Sequence, residues 1–337
     1  MIMRQSFALA AACGALLLLV MLAFAVGRYP VSLTQIMTLL WGKLGGSVHG
    51  LDPAIEAVLF QVRGPRVLAA LCVGAALAGA GAAYQNLFRN PLVSPDILGV
   101  SSGAAVGAVL GIFLSLGMLA IQFMAFAGGL LAVALVYGVA RRVRGHEPLL
   151  VLVLAGVVLG SLLGAAVSLM KYLADPYNQL PAITFWLLGS LSATNPQDLL
   201  FAAPLMLAGL LPMWLLRWRI NVLSLDDEEA RALGLNTTQL RLVVIIGATL
   251  VTSAAVAIAG IVGWIGLVIP HFARLLTGPE FSRLLPVSVL LGAGFLVAVD
   301  LLARTVGSIE IPLGVLTAFI GTPLFLWQLV TARRGWQ

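Results

Sequence analysis

Long apolar runs separated by short polar breaks make up most of this chain. A helix needs roughly 20 apolar residues to cross the hydrocarbon of a bilayer. Runs at 7–27, 66–87, 95–115, 119–140, 149–172, 199–216, 241–262, 264–277, 284–303 and 312–331 reach or approach that length. The pattern predicts an all-α polytopic membrane protein with about ten spans in one domain, 1–337. The eighth run is short for an unassisted crossing, and the third and fifth read as broken or tilted. The first run also fits a signal peptide, because Ala23-Phe24-Ala25 satisfies A-x-A. Its length, and the single Arg4 before it, favour an uncleaved span.

Two segments between the runs carry their own pattern. In "VSLTQIMTLLWGKLGG" (31–46), Ile36, Leu39, Leu40 and Leu44 share a helical face, which predicts a helix lying on the outer surface. "DPYNQLPAITFWLLGSLSATNPQD" (175–198) is too polar for a simple span and predicts a short helix at an outer mouth.

Composition agrees. Of the 337 residues, 61% are hydrophobic and 9% charged, against about 25% charged in a soluble domain. Thirty-six glycines and 16 prolines argue against long straight helices and for many close helix contacts. Cys13 and Cys72 each sit in an apolar run, so neither a disulfide nor a thiolate is expected. The net charge of +6 reads as loop anchoring rather than nucleic-acid binding. Of the 19 Lys and Arg, thirteen fall on the side of the N-terminus and six on the other. Cytoplasmic loops carry the excess, so both termini are expected inside.

Candidate chemistry is sparse. Gly99-Val100-Ser101-Ser102-Gly103 matches G-x-S-x-G, but a serine nucleophile needs a base and a preceding strand. The three histidines are scattered, with His49 outside and His146 and His271 near the inner face, and no strand is predicted. Gly99, Gly103 and Gly107 instead recur at helical spacing, as do Gly156, Gly160 and Gly164, which predicts helix packing. No phosphate-cradling G-x-x-x-x-G-K-[ST], no His-x-x-x-His and no Cys-x-x-Cys occurs, so neither nucleotide hydrolysis nor a tight metal site is expected of this chain.

Three polar clusters remain. "LSLDDEEARALGLNTTQLR" (223–241) is the one concentrated acidic run. Ser224 suits a helix cap, Asp226, Asp227 and Glu228 suit a first turn, and Gly234 suits a stop. Asn236 with Gln239 suits the start of a second short helix. The run reads equally as a compact docking knob or as a solvated loop. Arg63 and Arg66 stand at the outer end of the second span and Arg304 at that of the ninth, either snorkelling or waiting for a partner's carboxylates. Asn90-Pro91 and Ser94-Pro95 break the helix at the inner face.

"VRGPRVLAALCVGAALAGAGAAYQNLFRNPLVSPDILGVSSGA", "EEARALGLN", "GIVGWIGLVIPHFARLL" and "IPLGVLTAFIGTPLFLWQL" resemble the permease subunits of type II ABC importers, from about residue 60 to the C-terminus. Those importers carry iron-siderophores, haem or vitamin B12, and some relatives take molybdate. The resemblance implies a homodimer in a bacterial inner membrane. It implies two ATP-binding cassette subunits below, which hold the ATP so that this chain needs no cofactor, and a periplasmic binding protein above. It implies docking roles for Arg63, Arg66 and Arg304. For Ser224, Asp226, Asp227, Glu228, Glu229, Arg231, Leu233, Gly234 and Leu235 it implies coupling to the ATPase. Asn90 and Leu92 would stand at an inner gate. The chain departs from the vitamin B12 importer at His146-Glu147-Pro148-Leu149-Leu150, which puts gate positions in that loop in doubt. The rival expectation, an ion-coupled carrier, calls for ionisable relays within spans. Asp96, Asp175 and Asp300 lie near bends or ends instead.

Overall fold

A computed structural model describes residues 2–27, 29, 31–43, 52–143 and 148–332. Every expected span appears as a helix, and the described residues contain no strand. The spans are α1 (Ile2–Ala25), α4 (Gly64–Leu87), α5 (Val100–Phe113), α6 (Met118–Arg142), α7 (Pro148–Leu173), α9 (Pro196–Leu215), α12 (Thr237–Ala259), α13 (Ile265–Thr277), α14 (Phe281–Thr305) and α15 (Leu313–Ala332). Short elements fill the connections: α2 (Leu33–Lys43), α3 (Pro53–Ala57), α8 (Gln179–Leu188), α10 (Arg217–Asn221) and α11 (Asp227–Ala232). Among the described residues, six helices are long and apolar enough to cross a membrane; α5, α8, α13 and parts of α1 and α15 are shorter apolar helices.

Two details differ from the sequence reading and one bears it out. The second span starts earlier than expected, because α3, a π-helical turn (Val58–Arg63) and α4 form one continuous rod from Pro53 to Leu87. The third run is broken, with a 3-10 turn (Pro95–Leu98) closed by Gly99 at φ 77° before α5 begins. The fifth is unbroken, because Pro148 sits at the first position of α7, where a missing N–H costs nothing. The surface helix is α2; its Leu39 packs with Val31, Ile55 and Leu59, while Met37 and Trp41 stay exposed. Leu44, His49, Arg144, His146, Glu147, Arg333 and Arg334 lie outside the described residues.

The core forms around α4 and α12, the most enclosed helices, while α7 is the least enclosed. Alanines and glycines dominate the middle of α4. Small residues let backbones approach closely, which is how helices gain packing energy where lipid offers no hydrophobic drive. A Cβ at Gly74 would stand 2.2 Å from the Gly292 carbonyl oxygen of α14. The G-x-S-x-G segment behaves likewise. Added Cβ atoms at Gly103 and Gly107 would meet the backbone oxygens of Gly128 and Met124 in α6 at 2.4 and 2.0 Å. Ser101 donates its hydroxyl to Asp96. In the α7 series the contact fades, from Gly156 against Ile97 to Gly164, which meets nothing within 4 Å.

Buried polar groups are paired where the fold needs them. Asn195 and Asp198 form a reciprocal capping box at the start of α9, and the Asp198 carboxylate also accepts the Gln122 amide at 2.8 Å. From the close contacts, Gly107→Ala is expected to destabilise the protein by roughly 1–3 kcal/mol through overpacking. Gly164→Ala is expected to leave the unfolding temperature in detergent nearly unchanged. Equal shifts in scanning fluorimetry would contradict this packing account.

Candidate functional site

The side with the larger share of Lys and Arg is the one expected to face inward, and is called the inner side. There a cavity of about 820 Å³ opens between three elements. One wall is the α4–α5 bend, with Phe88, Arg89, Asn90, Val93 and Ile97; a second is the first turns of α7, with Leu149, Leu150 and Val153. The third is the acidic run, with Asp226, Asp227, Glu228 and Glu229, together with Arg241 of α12. The candidate gate residue Asn90 therefore shares one cavity with four of the candidate coupling residues, Asp226, Asp227, Glu228 and Glu229. Leu92 lies beside it, half-exposed, with its N–H donated to the Asn90 side chain at 2.9 Å.

The link between them is Arg89, which sequence reasoning counted only as one more inner charge. Its backbone sits at φ 49°, in the left-handed region that few L-residues adopt. That turn ends α4 and aims the guanidinium across at the acidic run. Nε donates to the Leu223 carbonyl at 3.1 Å, Nη1 to Asp226 at 2.6 Å and Nη2 to Asp227 at 3.2 Å. Arg241 donates to the same Asp227 oxygen. Such a planar fork fixes orientation as well as contact. The residue before Asn90 is thus clamped to the start of α11. A positive φ at an arginine has no sequence signature, so only the Asn-Pro break beside it hinted at a special turn.

The acidic run is simpler than two short helices. Ser224 does not cap; it closes a 3-10 turn (Val222–Ser224), and its hydroxyl donates to Asn221. Asp226 takes the cap position of α11, and Asp227, Glu228 and Glu229 fill the first turn, where the helix dipole favours them. Gly234 turns the chain at φ 79° after Leu233. Asn236 does cap, accepting the Gln239 N–H at 3.0 Å, but the helix it starts is α12 itself. α11 is therefore fused to a core span through a turn of a few residues. Glu228, Glu229, Arg231 and Leu233 are exposed and Leu235 is half-buried.

At the outer end the structure brings Arg63, Arg66 and Arg304 together, but inside the chain: each is under a tenth exposed. Arg66 donates to Asp300 at 2.8 Å and to Glu310 at 3.0 Å, and Arg304 lies 3.6 Å from the other Asp300 oxygen. Arg63 donates to the carbonyls of Phe24, Ala25 and Tyr29, and Arg304 to that of Ala23. The last carbonyls of a helix lack intrahelical partners. These two guanidiniums supply them for α1 and oppose its negative dipole end. Arg63 ends the π-helical turn and Arg66 follows three residues on in α4, a spacing that puts both on one face of the rod. The three arginines thus fasten α1, α4, α14 and the α14–α15 loop to one another, and their docking geometry was not legible from spacing alone.

A fold of this kind, with buried small-residue spans, a broken third run and an acidic helix fused to α12, has known counterparts. Residues 15–331 match the FecCD transport family. The chain belongs to that family. The molybdate import system permease protein MolB of Haemophilus influenzae is 42% identical over 95% of this chain and 94% of its own length. A Helicobacter pylori protein described as an iron chelatin transport system permease is 39% identical over 98% of this chain and 99% of its own. A solved chain described as an inward-facing, metal-chelate type ABC transporter is 38% identical, with a TM-score of 0.86 over 97% of this chain and 99% of that one. The FecCD chain described here is therefore a membrane permease with the type II ABC importer fold, and permeases of such importers work with ATPase and binding-protein partners.

Removing one member of a buried ion cluster leaves an uncompensated charge and costs roughly 3–5 kcal/mol. Asp300→Asn is expected to destabilise the FecCD chain on that scale, and adding Arg66→Gln to recover part of the loss. A double-mutant cycle on thermal unfolding measures the coupling; strictly additive losses would contradict the outer cluster.

Proposed function

We propose that this chain is the translocating subunit of an importer for a metal chelate, worked as a homodimer by two separate ATP-hydrolysing subunits. Both termini would lie on the cytoplasmic side of a bacterial inner membrane, and 1–337 would act as one transport domain without a cofactor of its own. The observation that carries this reading is the Arg89 fork, which ties the acidic α11 to the bend holding Asn90 and Leu92. α11 presents Glu228, Glu229 and the exposed Leu233 to a partner, a mix of charge and one apolar anchor that suits docking. Ser224, Asp226, Asp227, Arg231, Gly234 and Leu235 would shape and hold that lever. A push on it would travel through Arg89 to the inner gate.

At the outer end three guanidiniums, Arg63, Arg66 and Arg304, meet two carboxylates, Asp300 and Glu310. The excess positive charge suits an acidic patch on a binding protein. Because the guanidiniums are engaged inside the chain, they would prepare that surface more than reach out from it. Metal chelates are bulky, and a route walled by small and apolar residues guides them without gripping. The second reading is an oxyanion, favoured by the likeness to a molybdate permease. An ion-coupled carrier is disfavoured because Asp198 and Asp300 are committed to structural partners, Gln122 and Arg66.

The test is reconstitution in vesicles with and without the ATPase and binding protein. Uptake that needs both, with an iron chelate preferred over molybdate, is the expected result; uptake driven by an ion gradient alone would overturn it. The Arg89 pairs are partly exposed, so each contributes about 0.2–1 kcal/mol and stability should barely change in Arg89→Gln. Coupling should change much more. ATP hydrolysis is expected to persist while uptake per ATP falls severalfold, and an unchanged ratio would remove Arg89 from the lever.

A further inference from the structure

The 3-10 turn between α4 and α5 lies within the depth of the spans, not at their edge. Pro95 Cδ is 2.9 Å from where a Cβ on Gly266 would stand, and Gly266 packs on Leu77 and Gly81 of α4. α4 runs on to Leu87. At 1.5 Å per residue the turn therefore stands roughly 9–15 Å in from the inner end of α4. Its four residues divide between different surroundings. Pro95 faces α13, the Ile97 backbone packs against Gly156 of α7, and Leu98 is fully buried. Asp96 is left on the remaining side, where it is exposed and accepts the Ser101 hydroxyl. Ser101 and Ser102 are half-exposed, and the Ser102 hydroxyl is 3.6 Å from where a Cβ on Gly160 would stand, at the seam of α5 with α7. No Lys or Arg among the described residues pairs with Asp96.

A carboxylate at that depth is too costly to hold against lipid, and such groups face a protein interior or a water-filled cavity. We propose that Asp96 faces the water-filled translocation route and sets its charge preference. The route then admits a neutral or cationic metal chelate and disfavours oxyanions and anionic chelates. A passage with low-dielectric walls focuses the field of a charge on its lining, so one carboxylate per subunit acts on cargo without touching it. Asp96 holds one hydroxyl and lacks the shell of six or more oxygens that a hard divalent cation takes, so it works as a fixed charge and not as an ion site. The inference rests on the reading of this chain as a chelate permease and narrows its cargo class.

The test reads local charge, not uptake, so loss of the importer reading in vesicles and loss of this charge are seen separately. The assembled transporter, with Cys13→Ala and Cys72→Ala, carries one new thiol at Ser102→Cys or, in α7, at the exposed Ser161→Cys. In bilayer discs, with and without ATP, each thiol is treated with a cationic and with an anionic methanethiosulfonate. The cationic reagent should react severalfold faster than the anionic one, relative to the same pair on free cysteine. Asp96→Asn, which can still accept from Ser101, should lower that ratio severalfold, and Asp96→Glu should restore it. A ratio that Asp96→Asn leaves unmoved would overturn the proposal. So would thiols at both positions that stay unreactive in every state, since that outcome gives the face to a second copy or to lipid.

Discussion

Hydrocarbon offers no hydrogen bonds, so each backbone N–H and C=O within the membrane must find its partner inside the protein. That single constraint makes the spans helical and places every break where protein can answer it. The carbonyls at the end of α1 are answered by Arg63 and Arg304. The end of α12 is answered by the segment that follows α8, where the Ser190 N–H donates to the Ala259 carbonyl. The same constraint explains the glycines and alanines. With no water to expel, helices gain from close backbone approach, as at Gly74 and Gly292.

Against this packed centre the two ends are built differently. The outer end is a buried, cross-braced cluster in which each charge depends on another. The inner end is open, and its charges are partly solvated. The outer cluster is costly to disturb, which suits a fixed platform. The inner pairs hold geometry with little free energy, which suits a part that moves with its neighbours. α11 joins the core through Gly234 on one side and the α4–α5 bend through Arg89 on the other.

The spans were readable from hydropathy because membrane helices need long unbroken apolar runs, and α5 and α13 were found even though each is short. Asn236 was readable as a cap because its spacing to Gln239 is local. Ser224 was misread, since two aspartates follow it and local chemistry alone could not choose Asp226 instead. The outer arginines were picked out by position, but Arg66 finds its partners more than two hundred residues away in Asp300 and Glu310, Arg63 finds its own in carbonyls at and beyond the end of α1, and Ala23 is likewise more than two hundred residues from Arg304. Arg89 escaped notice because its importance lies in a backbone angle and in partners beyond α10. Local pattern reports helices and caps; the pairing of distant charges needs the fold.

The central claim is that α11 and the Asn90–Leu92 bend move as one body. Spin labels at Leu92 and Glu228 within one subunit, and at Leu92 in both subunits, would report it in the assembled transporter through a cycle of ATP binding. A constant distance within the subunit, with a changing distance between subunits, is the predicted result. An intrasubunit distance that changes as much as the intersubunit one would contradict a rigid link through Arg89.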